Sequence, residues 1–159
     1  MNFLATLALL AATATAGPVT KNFNLQTSGA SNSSLNNLYV TTKSTGPLNS
    51  LAVFTSNAAA AGSFSLQTNG TVHYKAQNGA PWSIALVSED VAVAPVDVSV
   101  EPSTGGTGFS FASDGNLQSS NKNWGGWLAC NDNALYYINT SQQSSSHPGC
   151  DKIELKASS

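Results

Sequence analysis

The side chains that could react are few, and their spacing limits what they could do. There are two histidines. His73 alternates with Val72 and Tyr74 as on a strand, and His147 sits in Ser-His-Pro-Gly, a turn close to Cys150. A hydrolytic triad would set one of them between a serine and an acid, and no G-x-S-x-G elbow accompanies either. Zinc needs clustered thiol and imidazole ligands, and here they are scattered. Glycoside hydrolysis needs only two carboxyl groups at a suitable separation, and eight acids are available: Glu89, Asp90, Asp97, Glu101, Asp114, Asp132, Asp151 and Glu154. Adjacent Glu89 and Asp90 follow an apolar run and read as a solvated turn. Asp97 and Glu101, four residues apart, would share one face of a strand; they are the best acid pair present, and a solvent-facing edge explains them equally well. The expectation is a protein without catalytic residues, metal or cofactor, with a glycosidase as the less favoured alternative.

Three tryptophans offer a different chemistry, because pyranose rings lie against aromatic faces and an amphipathic indole suits a half-wet site. Trp82 and Trp127 are embedded in apolar runs, where core packing is the first expectation. Trp124, between Asn123 and Gly125, is the one expected at the surface. Trp124, Asn123 and Trp127 are therefore the candidate contacts for a glycan or another partner.

Trp124 to Leu155 holds two of these indoles and both cysteines. Cys130 closes the apolar run Trp127-Leu128-Ala129, and Cys150 opens a run in which Ile153 and Leu155 alternate with Lys152, Glu154 and Lys156, so two strands are implied. Met1 to Ala16 is an apolar run too short to span a bilayer, ending in the small-x-small pattern Ala14-Thr15-Ala16. It reads as a secretion signal, leaving one domain over 17–159, located outside the cell or in its wall. In an oxidising compartment two cysteines most often make one structural disulfide. A Cys130–Cys150 bridge would close a loop of about twenty residues, worth roughly 3 kcal/mol in the chain-entropy picture. The sequons at Asn32, Asn69 and Asn139 fit the same route, although Asn, Ser and Thr fill a third of the chain and some sequons arise by chance.

Charged residues are 9% of the chain and the formal net charge is −2, so no basic face exists to neutralise phosphates. Nucleic acid and membrane are not expected as partners, and a monomer is. A surface solvated by hydroxyls and amides suits contact with neutral polysaccharide.

Short alternating runs bounded by Gly, Asn, Asp, Ser or Pro recur, and helical periodicity is nearly absent. They predict about eleven strands, near 22–26, 38–42, 51–56, 64–67, 71–76, 82–87, 96–101, 108–113, 127–130, 135–138 and 151–156. Asn57 to Gly62 is the one helical candidate, a single turn. Asn69-Gly70 and Asp114-Gly115 read as primed hairpin turns, and Pro95 belongs on an edge or a connection. The form F-x-(L/F)-x-x-(S/N/D)-G occurs at Phe23, Phe64 and Phe109, and Trp82 and Trp127 each lie 18 residues after their Phe. A threefold trefoil would produce this echo; so would unrelated hairpins that each need an aromatic before a turn. The fold expected is all-β, a single-domain antiparallel β-barrel, with a β-trefoil or barrel-like sandwich as alternatives.

The early Phe23-x-Leu25, Leu35, Leu38 and Tyr39, Gly108-Phe109, and above all Gly125-Gly-Trp-Leu-Ala-Cys130 followed by Cys150-x-x-Ile153-x-Leu155, resemble a group of small secreted ascomycete proteins. These are described variously as cell-wall proteins, IgE-binding proteins and elicitors of the plant hypersensitive response. The resemblance spans nearly the whole of 17–159, and its most specific piece is the C-terminal Trp/Cys block. It implies a β-barrel-like domain without known enzymatic activity, a Cys130–Cys150 disulfide, no catalytic residue, and a host plant receptor or cell-wall polysaccharide as partner.

Overall fold

The computed structural model describes residues 21–87, 90–100, 102, 106–142 and 147–159. The expected signal at 1–16, Glu89 and Glu101 lie outside the described residues.

Twelve strands run in order: β1 Asn24–Ser28, β2 Tyr39–Gly46, β3 Asn49–Thr55, β4 Phe64–Leu66, β5 Val72–Lys75, β6 Pro81–Leu86, β7 Val93–Val100, β8 Phe109–Phe111, β9 Leu117–Ser119, β10 Trp124–Cys130, β11 Leu135–Asn139 and β12 Cys150–Ser158. Their period of two sorts side chains between the faces. β3 turns Ser50, Ala52 and Phe54 inward, β7 turns Ala94, Val96 and Val98 inward, and β12 buries Ile153 and Leu155 while Lys152, Glu154 and Lys156 face water.

Seven strands close an antiparallel barrel in the order β11-β10-β12-β1-β2-β3-β7, and β11 pairs back with β7 to complete the ring. β12 is the keystone. It lies between β10, with Trp127 opposite Ile153, and β1, with Leu25 opposite Ala157. A wing of three strands, β6-β5-β4, extends from β7, and β8 and β9 form a separate hairpin tied to Gly70 by the Phe109 N–H (2.8 Å) and to Lys156 by a bridge from Asn116.

The trefoil alternative does not form. Phe23 precedes a wall strand, Phe64 opens the last wing strand and Phe109 opens the separate hairpin, so the three echoes occupy inequivalent places. What they share is local. Each ends at a glycine in the left-handed region, Gly29 at φ 75°, Gly70 at 78° and Gly115 at 83°. The segments nevertheless meet: Phe23 and Phe64 exchange backbone hydrogen bonds of 2.9 and 2.8 Å, and the Phe23 ring stands edge-on to Phe111 at 5.2 Å. Gly70 is needed twice over, since a Cβ there would sit 2.8 Å from the Gly108 nitrogen.

Four hairpins use one turn. In Gln67–Thr71, Ala76–Ala80, Ala112–Asn116 and Cys130–Ala134, the fourth residue donates to the carbonyl of the first at 2.9 to 3.2 Å. The third residue, Asn69, Asn78, Asp114 or Asp132, accepts the N–H of the fifth through its side chain. Only the fourth residue has positive φ, including Asn133 at 63°. The turns at 69–70 and 114–115 are therefore type I turns closed by a left-handed residue, in place of the primed turns expected; the Asx side chain holds its own residue right-handed and leaves the reversal to the next one. Pro95 lies inside β7 opposite Tyr136, one residue past the last β6 pair, Leu86 with Val96, so its missing N–H takes nothing from that ladder. The expected single turn forms as a 3-10 turn over Ala58–Ala60.

Candidate functional site

Trp124 and Trp127 are three apart, a spacing that puts side chains on opposite faces of a regular strand. A bulge between them restores the match, with Trp124 opposite Asn139 and Trp127 opposite Tyr137. The glycines in the bulge make it possible: Gly126 has φ 121°, and a Cβ on Gly125 would come within 2.7 Å of Thr140 Cγ2. Both indoles consequently meet on one face, ring centres 5.5 Å apart and 65° between planes.

Their roles then diverge. Trp127 is 3% exposed, stacks on Phe109 at 6.4 Å and donates from Nε1 to the Leu117 carbonyl at 2.7 Å. It is a core residue that forms the floor of the site. Trp124 is half-buried and forms a wall of a cavity of about 250 Å³. Asp114, Asn116 and Gln118 from the β8–β9 hairpin and Glu154 from β12 line the rest. Asn123 does not line this cavity; its backbone bonds Asn121 Oδ1 (2.9 Å) and the Thr140 N–H (2.8 Å) and so places the start of β10.

Two atoms beside the cavity carry unused hydrogen-bonding capacity. Trp124 Nε1 is a shielded donor without a protein partner, and Asn116 Oδ1 a shielded acceptor without one. Asn116 cannot readily swing away, because its Nδ2 and backbone N–H both bond the Asp114 carboxylate, at 2.8 and 3.0 Å. Each unmet group costs about 1–3 kcal/mol, and both atoms are shielded from solvent by the packing around them. No cation lines the cavity; Lys156 stands outside it, 3.4 Å from Glu154.

The acids mostly serve the backbone. Asp114 and Asp132 hold turns, and Asp151 accepts the Asn32 N–H at 2.6 Å. Asp97 is half-buried in β7 between Leu51 and Ala85, with Glu101 outside the described residues. His73 lies between Ser65 and Ser83 on the wing. Among the described residues no group of three His, Cys, Asp or Glu side chains could hold a metal ion. Tyr136 donates its hydroxyl to Asp132 Oδ2, and this bond, then burial and the negative charge, raise the phenol to about 12.

Cys130 and Cys150 are bonded, directly opposite one another on β10 and β12. Of the sequons, Asn32 is exposed at the cap of a 3-10 turn and Asn69 is exposed in its hairpin. Asn139 is 1% exposed, with Oδ1 accepting from Ser141 N–H and hydroxyl at 3.1 and 2.7 Å, and the folded barrel leaves no room for a glycan there.

Sequence reasoning found Trp124 and missed Asn116, Gln118 and Glu154. The clue available was that S-D-G-N-L-Q, a hairpin, stands just before the tryptophan strand. Residues 20–159 match the family described as a domain of unknown function (DUF7907). No curated protein and no solved structure matched.

Proposed function

Starting from a chain that belongs to the DUF7907 family, we propose that the protein is an exported, non-catalytic β-barrel that binds a neutral glycan in the Trp124 pocket. The carrying observation is the lining of that cavity, which sets the half-buried Trp124 indole beside the side chains of Asn116 and Gln118. A sugar ring supplies both an apolar face for the indole and hydroxyls that donate and accept. Anionic ligands are disfavoured by Asp114 and Glu154 on the rim. The cavity is smaller than those holding drug-sized molecules, which points to one sugar unit of a longer chain. Retention of the folded protein on insoluble chitin and β-glucan tests this, with Trp124→Ala expected to lose most of it; unchanged retention in the variant sinks the site.

A second reading, an elicitor of the plant hypersensitive response, is supported by the likeness of the Trp/Cys block, whose halves pair as β10 and β12 under the disulfide. Purified protein infiltrated into leaves would then cause cell death or an oxidative burst. Silence in several hosts, at doses where a known elicitor acts, counts against it.

A further inference from the structure

We propose a second carbohydrate site, built around Tyr74 and Asn78 where the wing meets the barrel wall, with Trp82, a core residue 9% exposed, as its floor. A cavity of about 320 Å³ opens there, lined by Thr42 and Ser50 from the wall and by Tyr74, Gln77, Asn78 and Trp82 from the wing. Tyr74 and Trp82 are direct cross-strand partners on β5 and β6, so they share one face of the wing. On the other side of Tyr74, and on the same face, stands its β4 partner Phe64, ring centres 5.5 Å apart.

Asn78 supplies the polar end. Its Oδ1 takes the Trp82 indole N–H at 3.3 Å and the Ala80 N–H at 3.1 Å, which fixes the amide and leaves Nδ2, on an exposed residue, to donate outward. Gln77 is exposed beside it. The lining holds hydroxyls, amides and two aromatic rings and no Asp, Glu, Lys or Arg. That set offers no charge to an ion and suits a neutral hexopyranose unit, one ring face on the half-buried Tyr74 ring and its hydroxyls on the amides. The site shares ligand class with the Trp124 pocket and no residue with it. With both occupied, a polysaccharide would be held far more tightly than a short oligosaccharide, because the second contact becomes intramolecular.

The experiment titrates the oxidised, isotope-labelled protein with the hexasaccharides of β-1,3-glucan, cellulose and chitin, following the three indole N–H signals by NMR. Trp82 and Trp124 are expected to shift, while Trp127, bonded to the Leu117 carbonyl, stays. Gln77→Ala and Tyr74→Phe, at partly or fully exposed positions, are expected to weaken the Trp82 response about five- to tenfold, the worth of one hydrogen bond. Movement of Trp124 alone with all three sugars overturns the second site and leaves the first standing. Movement of Trp82 alone supports it and removes the Trp124 reading, and silence at both overturns both. A Trp82 response of the same affinity in both variants places the ligand elsewhere and also overturns the proposal.

Discussion

The barrel wall and the wing are made of the same kind of strand and held by different means. In the wing, Leu66 pairs with Val72 and Lys75 with Pro81, each across a short turn. In the wall, Leu25 pairs with Ala157 and Leu51 with Asp97, contacts that close long stretches of chain before they return any stabilisation. The wing is a run of successive hairpins whose last strand, β4, is held beyond them by the Phe23–Phe64 bridge; the wall adds non-local ladders to its own hairpins, β2 with β3 and β10 with β11, closes on itself and is pinned by the disulfide. Proteins concentrate cooperativity where closure removes edges and lose protection where ladders end. Resistance to opening should therefore be greatest along β10-β12-β1 and least at β4.

The largest effect that would break this contrast is a core deletion. Leu155→Ala, at a fully buried wall position, is expected to cost about 2–5 kcal/mol, and Leu66→Ala, half-buried in the wing, less than about 2 kcal/mol. Urea denaturation measures both, and equal costs would show that wall and wing unfold as equals. The next is removal of the bridge. Replacing Cys130 and Cys150 by serine together is expected to lower stability by about 2–4 kcal/mol, with amide exchange accelerated in β10 and β12 first; uniform acceleration reaching β4 and β5 to the same degree would merge the two regions. The smallest concerns pH at the barrel's closure, where Tyr136 faces Pro95. Its folded value, about 12, lies above the ordinary 10, so the stabilisation is complete below pH 10 and disappears as pH rises toward 12. Tyr136→Phe should flatten stability between pH 10 and 12, and should delete a late-titrating phenol from the ultraviolet absorbance; an unchanged titration would mean that Asp132 does not hold the hydroxyl.

Much of the wing and its turns could be read in advance. Asn69-Gly70 marks a hairpin because the reversal is built from neighbouring residues, and even the unforeseen type I geometry follows from Asx side chains two residues from their donors. The hairpin turn at Asp114-Gly115 was legible, but β9 is absent from the expected strands because Leu-Gln-Ser offers one apolar residue and becomes a strand by pairing with Phe109–Phe111. The site was half legible. Trp124 stood out between Asn123 and Gly125, but which indole is covered depends on Phe109 and Leu117, carried by a hairpin whose packing against β10 no period predicts. Asn139 looks like any other sequon and is buried between Ala92 and Trp124, on neighbouring strands and loops.

From residue order alone came the all-β class, the alternation that assigns inner and outer faces, the places where the chain reverses and the pairing of the two cysteines, because each depends on side-chain period, local turn chemistry or the count of partners available. Tertiary structure alone decided that β12 enters between β10 and β1, that β7 carries both the barrel's closure and the wing, and that Trp124 stays half-exposed at the cavity while Trp127 is covered beneath it. A strand's period says which residues share a face; it carries no information about what will cover that face.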